Sequence, residues 1–190
     1  MINKKQKKEE TKLRILEAAN RTFKAKGFGG IGIDGLAKEA GVTSGAFYVH
    51  FKSKVAVFKA SVSSSLNDFN EGVVSFKNKY GDNWWREFSK FYMGEKRQCN
   101  LNESCGLQSL SCEVARFDDD IKLVYEEELN KIIDNASKDL LNEKDKEKVL
   151  SNISMLIGGV TLARAVQNDS LANEISESVL NNLHEIVYKK

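Results

Sequence analysis

An all-α fold is what this sequence predicts, and three observations predict it. None of the 190 residues is proline, so the strongest helix breaker is missing from the whole chain. Apolar residues recur at three- and four-residue spacing through every long segment, without the alternation of a half-buried strand. The gaps between these segments hold glycine, asparagine, aspartate and serine, the residues that stop or cap helices. About nine helices are expected, forming a three-helix amino-terminal domain over residues 1–55 and a larger helical domain over residues 56–190.

The first helix is read from Glu10 to Lys26. Ile15, Leu16, Ala19 and Phe23 recur on one side, Lys12, Arg14, Arg21 and Lys24 lie outside, and Gly27 ends it. Residues 1–9 before it read as a basic arm without structure, carrying Lys4, Lys5, Lys7 and Lys8. After a flexible glycine-rich turn, Ile33, Leu36, Ala37 and Ala40 make a short second helix that stops at Gly41, and residues 44–51 make a third of about two turns. Ser53 is placed to cap a long helix through Val57, Phe58, Val62, Leu66 and Phe69. Asp82 or Asn83 caps a helix carrying Trp84, Trp85, Phe88, Phe91 and Tyr92, which ends between Gly94 and Cys99. A short helix with Leu107, Leu110 and Val114 on one face follows. Asp118 or Asp119 opens a helix striped with Ile121, Tyr125, Leu129, Ile132, Ala136 and Leu140. Asn142 caps another, centred on Val149, Ile153, Leu156, Ile157, Val160, Ala163 and Val166. Ser170 caps the last, which carries Ile175, Val179, Leu183 and Ile186.

The formal charge of +2 averages two unlike parts. Residues 1–55 hold 12 Lys/Arg against 5 Asp/Glu, and residues 56–190 hold 17 against 22. A surface that sits on a phosphate polyanion needs the first balance and is weakened by the second, although a solvated basic tail would account for the same surplus. No apolar run approaches the roughly 20 residues that span a bilayer, and no apolar stretch follows the basic N-terminus. Neither a membrane segment nor a secretory signal is expected, and the cytosol is the expected compartment. Three cysteines, an odd number, fit a reducing compartment better than a disulfide framework.

Catalytic signatures are missing. HExxH, GxSxG and CxxC do not occur, and the two histidines, His50 and His184, stand far apart in sequence. Gly27-Phe-Gly29-Gly-Ile-Gly32 satisfies GxGxxG, but it follows a helix where a dinucleotide loop would follow a strand, and residue 52 is lysine where a ribose-binding acid would stand. No enzyme activity, cofactor or metal is expected.

The informative stretch runs from Ile33 to Lys52, IDGLAKEAGVTSGAFYVHFK. Ala37 is small where two helices must cross closely, Gly41 supplies a left-handed turn four residues later, and Val42, Phe47 and Phe51 plug a shared core, the pattern of a helix-turn-helix. The outward positions of the third helix are then Thr43, Ser44, Gly45, Ala46, Tyr48, Val49 and His50. These side chains are short, polar or flat, as a helix lying in a major groove requires. Lys52 and Lys54 follow where a phosphate backbone would pass.

Together with TKLRILEAA, FKAKGF and KSKVAVF, this passage resembles the DNA-binding domain of the TetR (tetracycline repressor) family of bacterial regulators over residues 11–58. A weaker likeness continues in GLQSLSCEVAR and IGGVTLARAVQNDSL, which look like the sixth and eighth helices of one branch of the family. The resemblance implies that Ser44, Ala46 and Val49 stand at base edges, the latter two suited to thymine methyls, while Thr43, Tyr48, His50 and Lys54 contact phosphates. Local roles compete with these: Ser44 could cap the third helix and His50 could be merely solvated. Where the family commonly has Thr or Ser before the second helix, this chain has Gly32, which removes one side-chain phosphate contact. The implied function is a ligand-responsive repressor whose homodimer binds a palindromic double-stranded operator, released when a small-molecule effector in the larger domain moves the long helix after Ser53.

Within the larger domain, Trp84, Trp85, Phe88, Phe91 and Tyr92, facing Leu107, Leu110, Tyr125 and Met155, could line a partly apolar effector pocket or could simply be core. Gly158 and Gly159 permit close helix approach beside Ile153, Ile157 and Val160, and with Ile175, Val179 and Leu183 these make the expected dimer face, unless they are buried within one protomer. Cys105 and Cys112, seven residues apart, share one helical face if their helix begins by Ser104. They are the candidates for oxidant or electrophile sensing, against a reading as small buried hydrophobes. The rival function from another class is a thiol-based sensor or helical enzyme with an incidental basic end.

Overall fold

The computed structural model describes residues 3–138, 140, 142 and 145–186, and among these it contains nine α-helices and no β-strand. They are α1 (Lys4–Lys26), α2 (Ile33–Glu39), α3 (Ser44–His50), α4 (Lys54–Tyr80), α5 (Trp84–Phe91), α6 (Gly106–Val114), α7 (Asp119–Ser137), α8 (Asp145–Ala165) and α9 (Asp169–Asn182). Short 3₁₀ turns at Gly81–Asn83 and Leu101–Glu103 and a π-helical turn at Tyr92–Lys96 join them. The all-α expectation therefore holds. No helix among the described residues is long and apolar enough to cross a membrane.

Most helix boundaries follow the capping chemistry read from the sequence. Ser53 Oγ accepts the Ala56 amide at 3.0 Å and starts α4, and Gly27, with φ +70°, ends α1 while its amide reaches Phe23 O at 2.9 Å. Several ends differ from expectation: Asn83 precedes α5 without a side-chain cap bond, α8 begins at Asp145, three residues after Asn142, and α9 stops at Asn182, short of Leu183 and Ile186. Helix α1 starts six residues before Glu10, because Asn3 and Gln6 form a reciprocal capping box in which Gln6 Oε1 accepts the Asn3 amide at 2.8 Å. Residues 4–9 of the basic arm are thus helical, a little under two turns. The cap of α9 is Asn168, whose Oδ1 accepts the Leu171 amide at 3.0 Å, and Ser170 instead lies inside the helix and donates to Glu174.

Two compact units result. One comprises Met1–Ser65 with Leu101–Tyr125, so α6 and the start of α7 pack with the three amino-terminal helices. Its centre is aromatic: Phe58 is fully buried and stands 5.1 Å from Phe23, 5.1 Å from Phe28 and 4.8 Å from Phe117, ring centre to ring centre. The linear division at residue 55 does not contain this grouping, because Phe117 lies 59 positions beyond Phe58 in the chain and nothing local marks their contact.

The other unit holds Leu66–Asn100 and Glu126–Lys190. Phe88 is its hub, with Phe69 at 5.3 Å, Phe76 at 5.3 Å and Tyr92 at 5.8 Å. Lysine and arginine side chains close helix ends here. Lys77 Nζ donates to the carbonyls of Asn135 and Lys138 at the end of α7, and Arg164 Nη2 donates to those of Lys96 and Cys99. Fully buried Asn152 exchanges two hydrogen bonds with the backbone of His184, which ties the chain after α9 to α8.

Candidate nucleic-acid interface

The crossing of α2 and α3 is fixed by the residues the pattern nominated. Gly41 takes φ +64°, a conformation costly for other L-residues, and its amide closes on Lys38 O at 3.0 Å while the Val42 amide closes on Ala37 O at 2.9 Å. Ala37, Phe47 and Phe51 are buried, whereas Val42 is only half-buried. Burial of Phe47 at the centre of α3 sets the rotation of the whole helix, since at about 100° per residue its neighbours must turn outward. Tyr48 is 53% exposed and Val49 65%, the most open aromatic and aliphatic side chains of this unit's helix-turn-helix.

The remaining nominated residues divide by what already engages them. Thr43 is exposed and its Oγ1 accepts the Ala46 amide at 3.1 Å, so it caps α3 and keeps one face free. Ser44 does not cap. Its Oγ donates to Asp34 on α2 at 2.5 Å, a contact the sequence reading missed because Asp34 lies ten residues earlier. This pair orients the Ser44 hydroxyl toward α2 and leaves its lone pairs available as acceptors. Gly45 is exposed, Ala46 half-buried and Lys52 exposed. Lys54 Nζ stands 4.1 Å above the centre of the Phe28 ring, a cation–π contact that draws its side chain over the turn between α1 and α2.

His50 ends α3, half-buried, with no hydrogen-bond partner for its buried Nδ1. Burial pushes its pKa below the usual histidine value, Lys8 and Lys12 on α1 push in the same direction, and Glu9 opposes them. The imidazole is therefore mostly neutral at pH 7.

A second signal escaped the sequence entirely. Glu113 on α6 accepts the Phe28 amide through Oε2 at 2.6 Å and lies against the Gly27 backbone, where a Cβ would run into its carboxylate. Phe117, just beyond α6, packs on Phe28 and Phe58 at 4.8 Å each. The turn that carries Lys54's aromatic partner is thus held by α6.

The larger domain's candidates are placed as follows. Trp84, Trp85, Phe88 and Tyr92 are buried and Phe91 half-buried, with Trp85 stacked on Phe88, Phe69 edge-on to Phe88 and Tyr92, and Phe76 tilted against Phe91. Leu107, Leu110 and Tyr125 belong to the other compact unit, and Tyr125 Oη shares a 2.7 Å hydrogen bond with Ser111. Burial raises the Tyr125 pKa, against that hydrogen bond. Met155 lines a groove between α8 and α9 with Gly158, Gly159, Leu162, Leu171, Ile175 and Val179. Of the expected dimer residues, Ile153 and Val160 are buried inside the protomer and cannot form an outer face, because they point from α8 toward its own core. Ile157, Ile175, Val179 and Leu183 remain half-buried, while Leu171 (45% exposed) and Leu162 (60%), the latter passed over in the sequence, point outward.

The two nominated cysteines do not share a helical face. Cys105 is buried and precedes α6 as its N-cap, with extended backbone, while Cys112 is exposed within the helix. Cys99, half-buried, has Arg164 Nη2 at 3.1 Å from its sulfur, which in turn donates to Lys96 O at 3.1 Å.

Comparison with known proteins bears on this arrangement at two levels. Residues 15–61 match the family model described as bacterial regulatory proteins, tetR family. Among curated proteins, the HTH-type transcriptional regulator SrpR of Pseudomonas putida is 45% identical over 56 residues, 30% of this chain and 26% of that protein. AcrR of Shigella flexneri, also an HTH-type transcriptional regulator, is 36% identical over 76 residues, 40% of this chain and 35% of its own length. The matched segments thus span about a quarter to a third of these relatives' length. Whole-chain likeness comes from folds. A TetR-family regulator from Cytophaga hutchinsonii superposes with a TM-score of 0.74 at 20% identity, covering 97% of this chain and 98% of that one. The reduced form of Escherichia coli NemR gives 0.78 at 19%, covering 95% and 100%.

Proposed function

From the match of residues 15–61 to the tetR-family model, we propose that the chain is a member of that family, a homodimeric, ligand-responsive transcriptional repressor that leaves a palindromic DNA operator when a small molecule binds its larger domain. The observation that carries the DNA-binding part is the outward face of α3. Buried Phe47 turns Tyr48 and Val49 into solvent beside Thr43, Gly45 and half-open Ala46, giving a low-relief surface for a major groove. Val49 and Ala46 supply methyl contacts to thymine, Ser44 accepts from a base edge while held by Asp34, and Thr43, Tyr48, His50, Lys52 and Lys54 hold phosphates.

One reading head of two helical turns contacts too little groove for specific binding, so a second copy is needed. The groove between α8 and α9, with exposed Leu162 and Leu171 beside Ile175 and Val179, supports pairing through these helices in a four-helix arrangement. The effector acts only if it binds the operator-incompatible state more tightly than the operator-bound state.

The test is a selection of duplexes from a random-sequence pool by the purified protein. An inverted repeat with half-sites about one helical turn or a multiple apart is the expected product. Recovery of no sequence preference would leave only non-specific binding and would overturn the operator reading.

A further inference from the structure

The hydroxyl that opens the reading helix has a fixed hydrogen-bond polarity. Ser44 is the first residue of α3 and is half-buried, and its Oγ lies 2.5 Å from Asp34 Oδ1 on α2. A carboxylate has no proton to give, so the hydroxyl is the donor, and a separation this short is that of a charge-assisted bond. A serine hydroxyl carries one proton and two lone pairs. With the proton committed to Asp34, only lone pairs remain for a group approaching from solvent. The commitment survives docking as a rigid body, because the crossing of α2 and α3 is held by the Gly41 turn and by buried Ala37 and Phe47.

For affinity alone, Asp34 is badly placed. It is exposed on the helix pair that meets DNA in the proposed mode, and among the described residues no lysine or arginine forms an ion pair with it. Its charge repels the phosphates of every duplex alike. The dipole of α2 favours an acid in the first turn, but it would favour one at a neighbouring position equally, and it is the carboxylate of residue 34 that reaches Ser44. A group that weakens binding to every duplex serves a reading head by discriminating between them.

We propose that Asp34 determines specificity: by taking the Ser44 proton it makes Ser44 an acceptor only, so the base facing Ser44 must present an amino group in the major groove. Adenine N6 and cytosine N4 meet that condition. Guanine, through N7 and O6, and thymine, through O4, bring acceptors against the Ser44 lone pairs and are rejected. Asp34 is thus a positioning residue that acts through Ser44. This rests on the DNA-binding reading above and deepens it.

The test compares the full chain with Ser44→Ala, Asp34→Ala and the double variant. The inverted repeat recovered from the random-pool selection is synthesised with each base in turn at every half-site position. Affinities for these duplexes and for a mixed-sequence duplex are read by fluorescence anisotropy at one salt concentration. Ser44→Ala identifies the position concerned as the one whose base preference it flattens. There the wild-type chain is expected to favour adenine or cytosine over guanine and thymine by about five- to tenfold, the worth of one hydrogen bond. Asp34→Ala frees the hydroxyl to donate, so it is expected to shrink that preference to below about twofold at that position only, and the double variant to match Ser44→Ala. Asp34→Ala is also expected to bind the mixed-sequence duplex no more weakly than wild type, since a repelling charge is gone. Each preference is a ratio measured on one protein sample, so a loss of stability in a variant cancels from it.

A wild-type preference for guanine or thymine at that position overturns the proposal. So does an Asp34→Ala profile that is unchanged there or flattened everywhere, weaker binding of Asp34→Ala to the mixed-sequence duplex, or a Ser44→Ala profile unchanged at every position. All of these leave the operator reading intact. A wild-type chain that selects no sequence overturns both.

Discussion

Substituting Glu113 should loosen the reading head although the residue is not itself among the proposed DNA-facing positions. Its carboxylate accepts the Phe28 amide at 2.6 Å in a half-buried setting, a short charge-assisted bond. Such bonds contribute about 1.5–3 kcal/mol, and partial exposure of Glu113 places this one near the lower end. For a chain of this size each kcal/mol moves Tm by about 2–4 °C, so Glu113→Ala is expected to lower Tm by about 3–8 °C. Glu113→Gln keeps a neutral acceptor and is expected to lose about half as much.

The steric side of the contact gives a sharper test. Gly27 has φ +70°, where any L-residue is strained by about 1–2 kcal/mol, and a Cβ there would also meet the Glu113 carboxylate. Gly27→Ala should therefore cost more in the wild-type chain than in the Glu113→Ala chain, and a double-mutant cycle by thermal or urea unfolding reads the difference. Strict additivity of the two substitutions, or a Tm change below about 1 °C for Glu113→Ala, would refute the reasoning, since either means that α6 does not hold this turn.

The other expectations concern the proposed surfaces. Tyr48→Ala should weaken binding to selected and mixed duplexes alike by about fivefold, the worth of one hydrogen bond of about 1 kcal/mol, with Tm unchanged because the side chain is 53% exposed. A loss confined to the selected duplex would make Tyr48 a base reader instead. Free His50 has a lowered pKa and a neighbouring phosphate favours its charged form, so binding takes up a proton and affinity should rise as pH falls from 7 toward 5.5. Anisotropy titrations of His50→Gln should show that dependence abolished; its persistence would assign the proton elsewhere. Leu162→Glu should shift the chain from dimer to monomer in sedimentation velocity, whereas Ile153→Ala should leave the oligomeric state alone and cost about 2–5 kcal/mol of stability. A dimeric Leu162→Glu chain would remove the α8–α9 groove as the interface.

What the sequence disclosed and what it hid divide along one physical line. Features set by neighbours within a helical turn or two were legible: the φ > 0 glycines at residues 27 and 41, the Ser53 cap, and the burial of Phe47 that turns α3 outward. Features set by partners distant in the chain were not. Glu113 looked like one more charged residue on a short helix, and only the fold brings it 85 positions back to the Phe28 amide. Periodicity identified an apolar face on α8 but not which part of it the protomer itself covers, so Ile153 and Val160 were assigned outward and Leu162 was passed over. The basic start was misjudged for a different reason. Its composition is that of a solvated tail, and a capping box built from Asn3 and Gln6, outside the usual Ser or Thr with Glu, carries no strong signal.

If the proposed ligand response holds, the grouping of α6 with the amino-terminal helices bears on how its signal would reach DNA. The chain passes between the two compact units three times, after Ser65, after Asn100 and after Tyr125, and the first and last of these crossings fall inside α4 and α7. A continuous helix transmits displacement better than a loop, because each residue along it is held by hydrogen bonds to the turns before and after. The amino-terminal unit is itself fastened at two places: Phe117 between Phe28 and Phe58, and Glu113 on the Phe28 amide. Lys54, at the start of α4, rests on that same Phe28 ring. Within this unit, the start of α4 and the turn ahead of α2 are therefore fastened to each other and to α6. This is why Glu113, which touches no nucleic acid in the proposed mode, is expected to matter for operator release as well as for stability.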